Sequence, residues 1–407
     1  MIYNVALYFT HESFYYRSNN NFFNSSFFRN IDYNFCFCHI KYIFSANILN
    51  SVYILIISVI HSFSHKLINW YKSNKRDLPW RNTEDPYKIW ISEIILQQTR
   101  VRFAIDYYNK FIEKFPTIDA LSDAKEDEVL NSWQGLGYYS RARNIHHTSK
   151  VLKEKHSSIF PNKYDEIISL KGIGRYTTGA ILSFAFKKKI PVVDGNVFRF
   201  FSRLFFIDKF IDTTSGQNYF YNLAEDLICK KNPDLFNQAI IEYGAMVCKP
   251  KNPTCTTCIF NHQCEAYKKN KVFELPLKKN IVRTTDRFLI FILGTKKNIF
   301  LKKKKDGIWK GLYTPPLYEA KSKKELNNIK KNEELNIFNN KIKILKTSEM
   351  IHHKLTHQNL SIKFCYSDLD LDNKNEFVKV KLKNFDDFPV PRIIEKFLKN
   401  FYDEQKK

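Results

Sequence analysis

The chain has 407 residues, of which 44% are hydrophobic and 26% are charged, and this balance excludes a wholly disordered protein. Its 11 glycines, 13 prolines and eight cysteines are too few for a collagen-like chain, a flexible linker or a disulfide scaffold. No apolar run approaches the roughly 20 residues that a membrane-spanning helix needs, and the length allows two domains that each bury a core.

The formal net charge is +24, from 65 Lys and Arg against 41 Asp and Glu. Such a charge indicates a polyanionic partner, either nucleic acid or an anionic membrane surface. The chain is also rich in Lys, Asn, Ile, Phe and Tyr, the residues that AT-rich codons specify. Genome composition therefore explains the high lysine content equally well. The charge alone does not identify a partner.

Residues 1–62 differ from the rest because they contain no Gly or Pro and are rich in Asn, Phe, Tyr and Ser. Their apolar stretch, Ser51–Ile60, is too short to span a bilayer, and no small-residue cleavage site follows it. We expect a disordered extension, or a start codon assigned too far upstream, rather than a targeting segment.

Apolar residues recur at helical spacing from residue 63 onward. The clearest segments are 65–73, 86–99, 105–115 and 127–136. Asp85 and Pro86 predict the N-cap and the first residue of a helix, and residues 86–99 are apolar on nearly every side, which predicts burial. We predict a mainly α protein whose first domain, residues 63–267, is all-α.

The pattern changes after residue 267, and residues 268–282 are predicted to form a linker. Residues 287–294 and 297–303 predict two strands joined by a Lys-rich turn. Further elements are predicted as a strand over 361–369 and helices over 321–331 and 391–400. Residues 283–400 are therefore expected to form a small α+β domain.

Four cysteines lie together in residues 248–264, namely Cys248, Cys255, Cys258 and Cys264. Thiolates gathered in one short loop of an intracellular protein indicate a metal centre rather than disulfides. Zinc sites usually pair two Cys-x2-Cys knuckles, whereas this loop has one such pair with the other two cysteines flanking it. The spacing favours an iron–sulfur cluster and leaves zinc as the alternative.

Residues 170–184 (LKGIGRYTTGAILSF) predict two helices joined by a Gly-x-Gly hairpin. Gly172 and Gly174 would present backbone N–H groups at a helix N-terminus, which is the geometry that binds a phosphate oxygen. An isolated Gly-x-Gly also occurs in ordinary helix turns. The interpretation therefore depends on the position of the hairpin between two amphipathic helices of a basic domain.

Two carboxylates have unusual surroundings. Glu93 lies within the apolar helix, where burial would raise its pKa and suit it to general acid catalysis, unless it forms a structural ion pair with an arginine such as Arg100. Asp194 follows the strand-like residues 190–193 and opens a helical segment, so it is either a catalytic anion or a plain N-cap.

Five further segments carry a resemblance, and these are LPWR (78–81), SEIILQQT (92–99), WQGLGYYSRAR (133–143), GIGRYTTGAI (172–181) and VDGNVFR (193–199). Together with the four-cysteine loop, they are similar in order and spacing to the adenine DNA glycosylases (the MutY family) of the helix-hairpin-helix superfamily. The resemblance covers about Phe63 to Tyr267 and continues more weakly to Phe397. It implies a helix-hairpin-helix glycosylase domain followed by a Nudix-like domain.

The resemblance implies a monofunctional DNA glycosylase of base excision repair. Such an enzyme removes adenine mispaired with 8-oxoguanine or guanine, by hydrolysing the N-glycosidic bond of a base rotated out of the duplex. The implied cofactor is a [4Fe–4S] cluster bound by the four cysteines, and the implied partner is double-stranded DNA with such a mispair. We expect a monomer in the bacterial cytoplasm, associated with DNA and without a membrane partner.

The resemblance also implies a role for each site residue. Glu93 would protonate N7 of adenine, and Asp194 would stabilise the sugar cation. Tyr176 and Asn196 are similar to the residues that position this pair. The adenine pocket would contain Arg76, Trp80 and Gln238.

Recognition of the opposite base would involve Gln98, Thr99, Leu136 and Tyr138. Gln98 and Tyr138 are similar to the side chains that wedge into the base stack. In the Nudix-like domain the family has a Phe-Ser-His loop that contacts 8-oxoguanine, and the nearest match here is Leu355 with Thr356 and His357. The segment GIWKGLYTPP (307–316) matches the start of the Nudix-like domain, but no acidic REUxEE helix follows, so we expect no pyrophosphatase activity.

Two alternatives follow from the same residues. The first is a bifunctional glycosylase of the endonuclease III type. Those enzymes use a lysine nucleophile where this chain has Tyr176, and tyrosine cannot form their Schiff base. Lys171 replaces the usual proline of the family beside the hairpin, and it does not lie at the position of that nucleophile. The second alternative is a DNA-binding protein with a redox-sensing cluster and no catalysis, which would need neither Glu93 nor Asp194.

Overall fold

The computed structural model of the chain describes residues 61–279, 284–295, 298–329, 334–337, 340–368, 371 and 376–406. The expectation for residues 1–62 therefore lies almost wholly outside the described residues. Within the described ranges, no helix combines the length and the apolar character needed to cross a bilayer.

The N-terminal two thirds of the described chain are helical. A first helix, α1, covers residues 61–74. It is followed by α2 (Pro86–Leu96), α3 (Val101–Lys114), α4 (Ile118–Asp123), α5 (Glu126–Ser132), α6 (Ser140–His156), α7 (Tyr164–Ile168), α8 (Arg175–Phe184), α9 (Gly195–Leu204), α10 (Thr214–Leu227), α11 (Pro233–Met246) and α12 (Glu265–Lys268). The mainly α architecture predicted from the sequence is confirmed.

Helix α2 begins as the sequence predicts and ends earlier. Asp85 caps it, because its Oδ1 accepts a hydrogen bond from the backbone N–H of Tyr87 at 2.9 Å. The last helical residue is Leu96 rather than the predicted residue 99. Gln98 has a φ of +60°, which a right-handed helix cannot contain, so the chain leaves the helix here and forms a loop.

Residues 190–193 were predicted to be strand-like, and this prediction is wrong because they belong to no sheet in the structure. The side-chain amide of Asn237 makes the backbone hydrogen bonds that a neighbouring strand would make in a sheet. Its Oδ1 accepts from the N–H of Val192 at 3.2 Å, and its Nδ2 donates to the carbonyl of Ile190 at 2.8 Å. This irregular segment leads into Asp194 at the start of α9.

The C-terminal part contains strands and two helices, as predicted. The strands are β1 (Thr285–Leu293), β2 (Asn298–Lys303), β3 (Tyr313–Thr314), β4 (Leu317–Ala320), β5 (Glu334–Ile337), β6 (Asn340–Thr347), β7 (Ile351–Lys354), β8 (Gln358–Ser367) and β9 (Val378–Lys381). The helices are α13 (Lys323–Asn328) and α14 (Arg392–Lys406).

The strands form two sheets. One has the order β4-β1-β8-β6-β5 with β7 also paired to β8, and the other has the order β3-β2-β9. Strands β1 and β8 run parallel, and the other pairs are antiparallel. The two strands predicted on either side of the Lys-rich turn are β1 and β2. They lie in different sheets instead of pairing with each other, because β8 and β4 flank β1 on its two edges.

The structure divides into two compact units, each discontinuous in sequence. Of the described residues, the first unit contains 61–90, 162–168 and 173–279, and the second contains 91–161, 169–172 and the residues from 284 onward. The core of the first unit is rich in aromatic side chains. It includes Phe63, Leu67, Phe200, Phe201, Phe220, Phe236, Tyr243 and Phe260. The sequence-based domain limits at 63–267, 268–282 and 283–400 stay predictions.

Within the second unit, helical and strand segments are joined by polar contacts. Asp127 on α5 accepts from the Lys303 ammonium at 2.6 Å and from the Tyr313 hydroxyl at 3.1 Å. The Asn131 amide donates to the carbonyl of Asp387 at 3.0 Å. The apolar core under the larger sheet contains Ile290, Ile292, Leu326, Ile344 and Cys365.

We predict that Asp85→Ala lowers the free energy of unfolding by about 1 kcal/mol, because the N–H of Tyr87 loses its acceptor. Asp85→Asn retains a side-chain acceptor and is the matched control, with a loss of only a few tenths of a kcal/mol. Urea denaturation measures both. Equal stability of the Ala variant and the parent would show that this cap does not hold the start of α2.

Candidate functional site

Asp194 is the N-cap of α9, and its carboxylate is held by three donors. Oδ1 accepts from the backbone N–H groups of Asn196 at 2.8 Å and Val197 at 2.9 Å. Oδ2 accepts from the side-chain amide of Asn196 at 2.6 Å. The alternative of an N-cap is therefore realised, and the same bonds fix the carboxylate in one orientation.

Arg199 fixes the amide of Asn196 in turn. Its Nη2 donates to Oδ1 of Asn196 at 2.8 Å, which leaves the amide nitrogen to face Asp194. Burial raises the pKa of Asp194, while the hydrogen bonds from Val197 and Asn196 and the charge of Arg199 oppose that rise. Asp194 is thus a half-buried carboxylate in which directed donors oppose the effect of burial on its pKa.

Glu242 on α11 is fully buried and binds two arginines. Its two oxygens accept from Arg76 at 2.8 and 2.6 Å and from Arg81 at 2.8 and 2.6 Å. Burial opposes ionisation of this carboxyl, but the hydrogen bonds from Arg76 and Arg81 outweigh that effect and lower its pKa to about 2. This arrangement fixes two guanidinium groups at one surface of α11.

Gln238 lies one helical turn before Glu242 on α11. Its Oε1 accepts from the Tyr71 hydroxyl at 2.8 Å, and the guanidinium of Arg81 lies 5.5 Å from the centre of the Tyr71 ring. The structure thus brings Gln238 and Arg76, two of the predicted pocket residues, to the same face of α11. The third, Trp80, is buried in the 3₁₀ turn Pro79–Arg81 of the same unit.

Sequence reasoning missed three members of this network, which are Tyr71, Arg81 and Glu242. One signal was present. Glu242 lies among Ile240, Ile241 and Gly244 in an apolar helix, and a carboxylate there needs buried cationic partners. Arg81 is the final residue of the LPWR segment, which carries no signal of its own for a buried partner.

Glu93 and Tyr176 belong to different units. Glu93 is 6% exposed on α2 and lies in the second unit. Tyr176 is half-buried in the first turn of α8, in the first unit with Asp194 and Asn196. The burial predicted for Glu93 is therefore present, and its role as an acid stays a prediction.

The predicted wedge residues occupy strained loops of the second unit. Gln98 and Tyr138 have φ values of +60° and +48°, a left-handed conformation that residues other than Gly rarely adopt. Both side chains are exposed, and Thr99 and Leu136 beside them are half-buried. Their role as wedges stays a prediction.

Thr356 lies against Tyr138, one of the two predicted wedge residues. Its hydroxyl is 2.7 Å from the hydroxyl of Tyr138. Thr356 and His357 are exposed in the turn between β7 and β8, and the carbonyl of His357 accepts from the backbone N–H of Thr285 at 3.0 Å. The structure therefore brings the two predicted parts of the opposite-base site together within one unit.

The predicted hairpin lies between α7 and α8, which pack against each other. Gly172 has a φ of +83°, and a Cβ added there would lie 2.7 Å from Cβ of Asn144, so this position needs glycine. Gly174 is the N-cap of α8, and a Cβ there would meet no atom within 4 Å. The open space beside Gly174 leaves the N-terminus of α8 accessible to a ligand.

The four cysteines of the 248–264 loop line one cavity, with an empty volume of about 380 Å³ that includes space open to solvent. Two donors point at their sulfurs. The Tyr243 hydroxyl donates to Sγ of Cys258 at 3.1 Å, and Arg203 donates to Sγ of Cys248 at 3.5 Å. Arg199 also donates to the carbonyl of Cys248 at 2.7 Å.

These residues fit an iron–sulfur cluster. Burial raises the pKa of Cys248, Cys255 and Cys264, that of Cys264 to about 11, so a bound cation is needed to keep them as thiolates at neutral pH. Within the described chain, no three His, Cys, Asp or Glu side chains are arranged to hold one metal ion. The four cysteines would supply the four thiolate ligands that such a cluster takes.

Comparison with known proteins assigns both parts of the chain to families. Residues 91–220 match the HhH-GPD superfamily of base excision DNA repair proteins, and residues 289–400 match the NUDIX domain. The predicted helix-hairpin-helix and Nudix-like regions are thereby confirmed.

Curated relatives are adenine DNA glycosylases. The protein of Buchnera aphidicola subsp. Baizongia pistaciae is 42% identical over 305 residues, which are 74% of this chain and 84% of that protein. The protein of Buchnera aphidicola subsp. Schizaphis graminum is 36% identical over 84% of this chain and 99% of that protein. The human protein is 38% identical over 52% of this chain and 40% of its own length.

The chain therefore belongs to the family of adenine DNA glycosylases, hydrolases of N-glycosyl bonds that act in base excision repair. The resemblance and the enzyme class predicted from the sequence are confirmed.

We predict that Glu242→Gln lowers the free energy of unfolding at pH 7 by about 3–5 kcal/mol, because it leaves Arg76 and Arg81 without their buried counter-charge. The pKa of Glu242 is lower in the folded chain, so its contribution is present above about pH 4.5 and is lost as pH falls towards 2. In denaturation experiments, the difference in the free energy of unfolding between variant and parent should become smaller as the pH falls from about 4.5 towards 2.

The matched control for this prediction is Glu319→Gln, which removes the partly exposed pair with Arg287 at 2.6 Å. An exposed pair contributes about 0–1 kcal/mol. If Glu242→Gln costs no more than this control, the two arginines do not depend on Glu242 for their placement.

Proposed function

We propose that this enzyme removes adenine mispaired with 8-oxoguanine or guanine, as a monofunctional DNA glycosylase that acts on a base rotated out of the duplex. The observation that carries the proposal is the Asp194 carboxylate, desolvated and fixed by three donors. A plain N-cap on a solvent-exposed helix would need neither the burial of the carboxylate nor the hydrogen bond from Arg199 that orients the amide of Asn196.

The proposed chemistry uses two carboxyl groups in different protonation states. Glu93 donates its proton to N7 of the extruded adenine, and the bond between C1′ and N9 then breaks with its electron pair leaving on the base. Asp194 stabilises the positive charge that develops on the sugar, and water adds to C1′ as its proton passes to the Glu93 carboxylate, which restores the acid. The burial of Glu93, at 6% exposure, supports its role because burial favours the protonated form of a carboxyl group.

Asn196 and Tyr176 are the proposed positioning residues. The amide of Asn196 bridges Arg199 and Asp194, which supports that role directly. Tyr176 occupies the position at which endonuclease III enzymes have a lysine nucleophile, so the proposed enzyme releases the base and leaves the strand uncut.

The proposed adenine pocket contains Arg76, Trp80 and Gln238. The network around Glu242 and Tyr71 supports this proposal, because it fixes the guanidinium of Arg76 and the amide of Gln238 on one face of α11. The proposed opposite-base site contains Gln98, Thr99, Leu136, Tyr138, Thr356 and His357. The contact between Tyr138 and Thr356 supports it, since a wedge and the turn that contacts 8-oxoguanine then act on the same base.

We also propose that Cys248, Cys255, Cys258 and Cys264 hold a [4Fe–4S] cluster. The four thiolates would hold the cluster, and a bound cluster would crosslink the ends of the 248–264 loop. Arg203 and Tyr243 donate hydrogen bonds to the sulfurs, and Arg199 holds the carbonyl of Cys248. These residues order the loop beside the helix that Asp194 caps.

The proposed partner is double-stranded DNA, bound by a monomeric enzyme in the bacterial cytoplasm. Gly172 and Gly174 are the proposed phosphate contacts, supported by the open N-terminus of α8. The net charge of +24 supports the same partner. The sequence-based domain limits, 63–267 for catalysis and 283–400 for recognition of 8-oxoguanine, form part of the proposal.

The function is tested with duplexes that carry one adenine opposite 8-oxoguanine, guanine or thymine. We expect strand breaks at that adenine only after alkali, fastest opposite 8-oxoguanine, slower opposite guanine and absent opposite thymine. Breaks without alkali would indicate the lysine-type chemistry of endonuclease III enzymes. Equal rates opposite thymine would contradict the proposed mispair specificity.

We predict that Glu93→Gln abolishes adenine release in single-turnover assays while binding to the mispaired duplex changes little, because the amide keeps the shape and lacks the acidic proton. Glu84→Gln, which removes an exposed carboxylate paired with Lys187, is the control and should react at the parent rate. Adenine release by the Glu93→Gln variant at the parent rate would remove Glu93 from the mechanism.

We predict that Cys258→Ser lowers the iron and acid-labile sulfide content of the purified protein, whereas Cys229→Ser, outside the loop, leaves it at about four irons per chain. Metal analysis by mass spectrometry measures both variants and the parent. About one zinc and no sulfide in the parent would contradict the proposed cluster and favour the zinc alternative.

A further inference from the structure

Arg141, near the start of α6, is a buried guanidinium that binds two loops at once. Nη1 donates to the carbonyl oxygens of Ile94 at 2.7 Å, Ile95 at 3.1 Å and Gln97 at 2.5 Å. Nη2 donates to the carbonyl oxygens of Leu136 at 3.3 Å and Gly137 at 3.2 Å. One side chain therefore ties the C-terminal end of α2 to the loop that precedes α6, all within the second unit.

Each of these loops contains a predicted wedge residue directly after a carbonyl that Arg141 binds. Gln98 follows Gln97, Tyr138 follows Gly137, and both wedge residues have the positive φ described above. The guanidinium carbon of Arg141 also lies 5.7 Å from the centre of the Tyr138 ring. The guanidinium, which also lies 5.2 Å from the centre of a Trp133 ring, is thus near the Tyr138 ring and binds the carbonyl of the residue before Gln98.

The surroundings of Arg141 are not those of an ordinary ion pair. Among the described residues no carboxylate forms an ion pair with it, and its Nε has no hydrogen-bond partner. Burial lowers its pKa to about 10, so it is still charged at neutral pH. The negative end of the α2 dipole and the carbonyl oxygens provide its compensation. A buried cation is costly, and these contacts concentrate its effect on the two loops.

We propose that Arg141 is a positioning residue for mispair recognition, which holds the Gln98 and Tyr138 loops in the strained conformations that wedge into the base stack. The inference rests on the proposed function, because the wedges act only when adenine is extruded. Phosphate contacts of undamaged DNA do not need the wedges. Loss of Arg141 should therefore weaken binding to the mispair selectively.

The experiment uses the full chain and two duplexes, one undamaged and one with 8-oxoguanine opposite a non-cleavable 2′-fluoro adenosine. We expect Arg141→Met to weaken binding to the mispaired duplex by about tenfold or more, since at least one hydrogen bond from a charged donor is lost to each loop. Binding to the undamaged duplex should change less than about twofold, because phosphate contacts dominate it.

A spectroscopic signal separates this role from general loss of stability. A 2-aminopurine placed beside the target adenine fluoresces when its neighbour is unstacked, and the parent should give this increase on binding. Arg141→Met should give less of it at saturating protein. Arg141→Lys keeps the charge without the planar fork, so it should restore part of the signal.

Arg143→Met is the matched control, because Arg143 lies on the same helix and donates to the carbonyl of Lys310, away from both wedges. The Arg143→Met variant should have the same ratio of affinities for the mispaired and undamaged duplexes as the parent. If Arg141→Met and Arg143→Met have the same ratio and the same fluorescence, the proposal is wrong. If Arg141→Met does not fold, Arg141→Lys decides, and a ratio equal to that of the parent contradicts the proposal.

If the proposed function itself is wrong, the experiment gives a different result. The parent then neither prefers the mispaired duplex nor releases adenine from its cleavable form, and this result also contradicts the proposed wedge role of Gln98 and Tyr138. A parent that is active, together with Arg141 variants that bind like the parent, overturns the role of Arg141 alone.

Discussion

The burial of carboxylates is the constraint on which the site depends. Glu93 and Glu242 lie within helices, where the backbone has already used its donors, whereas Asp194 is the N-cap of α9, where free N–H groups remain. Glu242 is compensated by two arginines and keeps a pKa of about 2, and Asp194 is compensated by the free N–H groups of the first turn of α9. These different surroundings lower the pKa of Glu242 and raise that of Asp194.

Buried guanidinium groups that donate to backbone carbonyls order the loops of the helical part. Arg199 joins the amide beside Asp194 to the carbonyl of Cys248, and so links the proposed anion to the four-cysteine loop. Arg203 donates to the carbonyls of Leu275 and Lys249, and Arg141 donates to those of Ile94 and Leu136. The planar guanidinium holds its donors in a fixed fork, so it orients carbonyls from two segments more rigidly than the flexible ammonium of a lysine would.

Much of this arrangement could be predicted from the sequence, because local patterns determine it. Asp85-Pro86 marks a helix start, and the apolar residues around Glu93 indicate its burial. Long-range geometry could not be predicted in the same way. The pairing of β1 with β8 instead of β2 depends on which strands share a core, and the loss of the predicted strand at 190–193 depends on the amide of Asn237. The partners of Glu242 are 161 and 166 residues away in sequence, so no local pattern reveals them.

The account requires one extruded adenine to contact Glu93 and the side chain at position 194 at the same time. The most direct measurement is a crystal structure of the Asp194→Asn variant bound to a duplex with adenine opposite 8-oxoguanine. We predict that N7 of the adenine lies within hydrogen-bond distance of Glu93, and that the substituted side chain faces the sugar on the other side. An adenine that is still stacked in the duplex, or extruded away from Glu93, would contradict the proposed mechanism.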